Sequence, residues 1–271
     1  MVALSLCRPG RQAASAQEPP QFARAAAPRF NAMAGTIRIG TSGWHYAGWK
    51  NIFYPPGLPT GRWLQHYAQT FDTVEINNSF YNMPRPETMD SWRDQTPPGF
   101  TFAVKANRNI THLRKLKEPY ETLTQFLELA DRLENRLGPL LYQLPPHWKR
   151  NLDRLEAFAE QLPSKYTHVV EFRERDWLTA ETYALMERKC LALCVHDMLP
   201  RHPRRITGPI VYVRFHGSNH DYSGGYSRSR LRGWAKWILD VAATVDVYAY
   251  FNNDLEGHAV RNALTLRELT A

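Results

Sequence analysis

Cysteine is scarce in this 271-residue chain: Cys7, Cys190 and Cys194 are all there is. An odd, sparse count argues against a disulfide framework, and the spacing of Cys190 and Cys194 fits no zinc signature without partners. Inert, buried thiols in a reducing compartment are expected instead. No apolar run approaches the length of a membrane span, so no membrane partner is expected and a cytoplasmic location follows. There is no G-x-G-x-x-G, no Walker-type loop and no H-E-x-x-H pair, which removes the sequence signals of dinucleotide, P-loop and zincin sites.

What is present is an ordinary globular composition, 43% hydrophobic and 22% charged, with a net charge of +8. Arg8, Arg11, Arg24 and Arg29 against Glu18 place +3 of that in residues 1–35, leaving 8 − 3 = +5 for the remainder. Such a balance favours anionic ligands but is too diffuse to identify a nucleic-acid partner. Residues 1–35 show no periodicity and are expected to form a disordered or over-extended tail. Met33 is the preferred initiator, and an arginine-rich transit segment is the alternative.

From Thr36 onward the chain alternates strand and helix signals. The stretch Val211-Tyr212-Val213-Arg214-Phe215-His216-Gly217 has Val211, Val213 and Phe215 on one face and Tyr212, Arg214 and His216 on the other. Val169-Val170-Glu171-Phe172-Arg173, Val74-Glu75-Ile76-Asn77 and Phe102-Ala103-Val104-Lys105 likewise begin apolar and end on ionisable or amide groups. Strand starts at 37, 73, 100, 138, 167, 191, 210 and 246 give eight βα-like units in residues 36–271, a length suited to a single (β/α)8 TIM-like barrel. Only Met198 to Pro209 separate the sixth and seventh strands, so helix 6 should be missing or very short. A doubly wound sheet would alternate too, but it would gather its site at one switch point rather than at many strand ends.

Six motifs then stand out in order: Ile39-Gly40-Thr41-Ser42-Gly43-Trp44, Thr73 to Tyr81, Phe102-Ala103-Val104-Lys105, Glu171-Phe172-Arg173, Tyr212 to Gly217, and Tyr250-Phe251-Asn252-Asn253-Asp254. As a set the chain resembles the YecE-like family, bacterial and archaeal domains of unknown function, from about Ile37 to Leu269. The resemblance implies a TIM-barrel-like fold and no established reaction.

In such a barrel, Glu75, Lys105, Gln143, Glu171, Arg173, Arg214, His216 and Asn252 or Asn253 converge at the C-terminal mouth. Glu171, Glu75, His216 and Lys105 are the catalytic candidates, with Glu171 as acid/base and Glu75 as orienter, held ionised by Lys105 on the neighbouring strand. Arg214, Arg173, Gln143, Asn252, Asn253, Trp44 and Tyr226 are the substrate-binding candidates, the arginines through their planar forks. Lys105 has a Schiff-base alternative. The bland reading of the charges is mutual pairing, and of the loop aromatics a packed lid. The expectation is an enzyme acting on a small anionic, optionally phosphorylated, metabolite by acid/base chemistry, with no cofactor and no metal. A metal-dependent phosphodiesterase or isomerase is one alternative, for which Glu75, Glu171, His196, Asp197, His216 and Asp254 supply donor types. A non-catalytic nucleic-acid-binding module using Arg201-His202-Pro203-Arg204-Arg205 is the other, and is not favoured.

Overall fold

The computed structural model describes residues 34–219 and 222–271. Fifteen regular elements follow in chain order: β1 (Ile37–Thr41), α1 (Trp63–Thr70), β2 (Thr73–Ile76), α2 (Pro86–Asp94), β3 (Thr101–Lys105), α3 (Tyr120–Asp131), β4 (Leu137–Gln143), α4 (Leu152–Ala159), β5 (His168–Glu171), α5 (Ala180–Arg188), β6 (Ala192–His196), β7 (Ile210–Phe215), α6 (Arg228–Ala242), β8 (Asp246–Phe251) and α7 (His258–Thr270). Every named pairing is parallel, in the order β1-β8-β7-β6-β5-β4-β3-β2, so eight strands wrap into a nearly closed barrel.

The seam lies between β1 and β2, where a single Ser42–Glu75 bridge replaces a ladder. A phenol reinforces it. Tyr67 on α1 accepts from Thr41 N (3.0 Å) and Thr41 Oγ1 (2.9 Å) and donates to the Thr73 carbonyl (3.1 Å). Gly40 lets the two strands approach, because a Cβ there would stand 2.3 Å from the Thr73 carbonyl oxygen.

The alternation read from β7 is realised. Val211, Val213 and Phe215 join the large apolar layer between strands and helices, while Ile210 and Tyr212 join a smaller cluster inside the barrel with Ala103, Leu141, Val169 and Tyr250. The interior is thus apolar at its floor. The Thr73 hydroxyl bonds that of Tyr250 (2.7 Å), but the charged groups gather at the strands' C-terminal ends, which is where a barrel's site belongs.

No helix forms between His196 and Ile210, whose connection holds Pro200, Pro203 and Pro209. β4 starts at Leu137, one residue before the expected 138. Gly138 lies where β4 meets β3, with a would-be Cβ 2.5 Å from Thr101 Cγ2. Packed chain begins by Gly35, whose N–H donates to the Ala242 carbonyl (2.7 Å); the expectation for the rest of the tail lies outside the described residues. Of the two late cysteines only Cys194 is buried, whereas Cys190 is half-buried. Among the described residues no helix is long and apolar enough to cross a membrane.

Candidate functional site

At the C-terminal end of the barrel a guanidinium joins two carboxylates. Arg214 Nη2 donates to Glu75 Oε1 (2.8 Å) and its Nη1 to Glu171 Oε2 (2.7 Å), and all three side chains are wholly buried. Ser42 Oγ (2.5 Å) and the Tyr212 hydroxyl (2.7 Å) complete the shell of Glu75. Arg173 Nε contacts Glu171 Oε1, so Glu171 lies between two guanidiniums. Burial alone would raise its pKa, but Arg173 and Arg214 outweigh burial and hold the carboxyl well below the usual range.

The pairing expected between Glu75 and Lys105 does not form. In the β2–β3 register Glu75 faces Ala103, not Lys105, so the lysine projects one inward rung higher and Arg214 takes its place. Lys105 makes no ion pair among the described residues. It is 9% exposed, and its Nζ lies 4.1 Å from the centre of the Phe80 ring. Burial, then the nearby Arg214 charge, pushes its pKa down from 10.5 to about 7. It lines a cavity of about 280 Å³ with Tyr46, Asn77, Tyr81, Tyr222 and Asn252.

His216 is buried, with Nε2 3.2 Å from Arg173 Nη2 and Nδ1 3.5 Å from Asp197 Oδ1. Desolvation dominates its titration and brings the pKa down to about 4, despite the neighbouring Asp197. His196, bonded to the Phe172 carbonyl (2.7 Å), falls for the same reason to about 3. Both imidazoles are therefore neutral at physiological pH.

Seven of the expected site residues do meet at this end: Glu75, Lys105, Gln143, Glu171, Arg173, Arg214 and His216. Asn252 lines the Lys105 cavity. Asn253 does not; it is buried, and its amide donates to the Gly224 carbonyl (2.9 Å) and Asn262 Oδ1 (3.1 Å), tying strand end to α7. Tyr226 is likewise turned inward as a latch, accepting from Gly217 N (2.7 Å) and donating to Asp197 Oδ2. Trp44 packs edge-on to Trp92 (5.0 Å) beside a separate cavity of about 410 Å³, which shares Tyr46 and Asn77 with the first. Trp49, Tyr54 and Trp63 are buried, with Tyr54 stacked on Trp63 at 4.5 Å.

Sequence reasoning missed Ser42 as a partner of Glu75 and Asp197 as the group that holds His216. Ser42 stood in the Gly40-Thr41-Ser42-Gly43 motif, the one available signal. Asp197 followed His196 at a strand end, where only a metal role was weighed for it. Among the described residues no three His, Cys, Asp or Glu side chains group so as to hold a metal ion.

The sequence profile of the family described as "Protein of unknown function DUF72" matches residues 38–271. The chain is 27% identical to UPF0759 protein YunF of Bacillus subtilis over 269 residues, covering 86% of this chain and 94% of that one. It is 33% identical to UPF0759 protein YecE of Escherichia coli over 138 residues, 51% of this chain and 48% of the relative. The crystal structure of a DUF72 family protein from Thermotoga maritima superposes with a TM-score of 0.80 at 29% identity, over 86% of this chain and 98% of that one.

Proposed function

This chain belongs to the DUF72 family of TIM-barrel proteins of uncharacterised function, and we propose that it is an enzyme which takes a small anionic metabolite into the Lys105 cavity and performs acid/base chemistry there. The observation that carries this reading is the buried Lys105 amine, which has no ion-pair partner among the described residues. The guanidiniums beside it are paired, as Arg214 bridges Glu75 and Glu171, and Arg173 contacts Glu171. A buried amine left without a counter-ion destabilises the fold. It persists where an incoming anion supplies the missing charge, and strongly shifted groups in clefts mark functional sites.

The roles divide differently from the sequence expectation. Glu171 is pinned between guanidiniums and stays ionised, so it is a poor proton carrier. Glu75, Arg214 and Glu171 act as a fixed charged floor. Lys105, with a pKa of about 7, exchanges a proton at neutral pH. Arg173 Nη1, 3.4 Å from the hydroxyl of the cavity-lining Tyr222, sets a second cation behind it. The cavity, about 280 Å³, falls at or below the ~300–1,000 Å³ that drug-sized ligands occupy, which points to a compact metabolite.

The metal-dependent alternative gains little support, because the oxygens of Glu75 and Glu171 are engaged by Arg214, Arg173, Tyr212 and Ser42. The nucleic-acid alternative loses its loop. Arg204 lies over Trp234 (4.0 Å) and Arg205 bonds Glu187 (2.7 Å), so the basic segment is folded onto the barrel's outer surface. Calorimetric titration with pyruvate, phosphate and their neutral analogues tests the proposal. Saturable binding of the anions alone, abolished in Lys105→Met, is expected; anion binding untouched by that change would overturn it.

A further inference from the structure

From the placement of Lys105 we infer that its amine is a nucleophile towards a carbonyl carbon, so that the substrate class is a small anionic aldehyde or ketone held as a Schiff base. This rests on the anion-binding reading of the same cavity and names the chemistry within it. Two geometric facts and the local charge balance support it. Lys105 ends β3 and projects into a cavity, not into a charge pair. Its Nζ sits over the face of Phe80, a ring that keeps water from the amine while offering it only a weak cation–π contact in place of a counter-ion. Arg214 adds positive charge nearby that disfavours the ammonium form, and with burial and Arg173 it outweighs the opposing pull of Glu171 and Glu75. Burial and adjacent cations are the means by which proteins turn a lysine into a nucleophile.

The step balances within the cavity. The Nζ lone pair forms a bond to the carbonyl carbon while the carbonyl π pair moves onto oxygen. A proton passes from nitrogen to that oxygen, giving a carbinolamine. The C–O bond then breaks, hydroxide leaves and takes a proton to depart as water, and the nitrogen pair closes the C=N bond. Nothing is oxidised or reduced. Asn77 Oδ1, buried and without a hydrogen-bond partner among the described residues, can accept from the carbinolamine hydroxyl. The substrate's anionic group would lie towards Arg173, which borders the cavity through Tyr222. Because that group is required, neutral carbonyl compounds of the same size should react poorly.

Full-length protein incubated with pyruvate or with glyceraldehyde 3-phosphate, in the presence of cyanoborohydride at pH 7, should acquire one reduced adduct per chain. Peptide mapping should place it on Lys105, formed about tenfold faster or more than on any other lysine, since an exposed lysine is almost wholly protonated there. Acetone and propionaldehyde, the neutral counterparts, should label Lys105 at least about tenfold more slowly than the anions. Lys105→Met should lose the fast adduct and retain the slow surface background. Mapping on the unaltered chain decides the matter even if the variant folds poorly. Adducts spread evenly over surface lysines, or neutral carbonyls labelling Lys105 as fast as anions, would overturn the inference. Calorimetric binding of pyruvate with no adduct on Lys105 would also overturn it while leaving the anion site standing.

Discussion

Arg214 Nη2 stands 2.8 Å from Glu75 Oε1 with both side chains at zero exposure, an ion pair wholly inside the protein. Removing one member of such a pair leaves its partners charged in a medium that cannot solvate them. Arg214→Leu should therefore cost about 3–5 kcal/mol of stability, read as a shift of the denaturant midpoint at unchanged slope. That makes Arg214 a structural bridge more than a ligand clamp. A variant as stable as the parent protein would show that Glu75 and Glu171 can ionise without it.

Lys105 should behave in the opposite way. Its folded pKa of about 7 lies below the 10.5 of the unfolded chain, so the unfolded state binds the extra proton in between. By linkage, the penalty of burying this amine is fully present below pH 7 and is relieved as pH rises from 7 to 10.5. Lys105→Met should thus raise stability by about 1–3 kcal/mol at pH 6.5, with a smaller gain at pH 9.5. Denaturant curves at the two pH values test this, and a destabilised Met variant at pH 6.5 would contradict it.

Acid should weaken the fold in a definite window. His216 and His196 titrate at about 4 and about 3 when folded, below the 6.5 of a free imidazole. Between these values the unfolded chain binds protons that the native chain refuses, so stability falls as pH drops from 6.5 towards 4. The His216→Asn protein should show a shallower decline over that range in thermal melts. An unchanged pH slope would mean that His216 is charged in the folded state.

Gly40→Ala probes the seam. Its Cβ would meet the Thr73 carbonyl oxygen at 2.3 Å, a backbone atom that cannot swing away. The strands must part where one bridge and the Tyr67 hydroxyl hold them, at about 1–3 kcal/mol. Faster amide exchange confined to β1 and β2 would accompany the loss; uniform exchange across the barrel would contradict a local seam.

The strand ends were legible in the sequence because period-two alternation fixes which residues share a face, and β7 shows it along its whole length. The absence of a helix between β6 and β7 was legible from a short, proline-rich connection. The register between neighbouring strands was not. Glu75 and Lys105 were assigned to each other by adjacency, yet the pairing of Glu75 with Ala103 separates them and leaves the lysine alone. Nor does sequence say which way a residue just past a strand turns, as Asn252 and Asn253 show by taking opposite directions. Tyr226 read as a loop aromatic because its partner Asp197 lies 29 positions away.

The account depends most on Lys105 being an uncompensated amine that faces a ligand. Titration of its side chain by NMR in 13C- and 15N-lysine-labelled protein measures this directly. A midpoint near 7 that moves up by a unit or more when phosphate or pyruvate is added is the predicted result. A midpoint near 10.5, unmoved by either anion, would contradict the account.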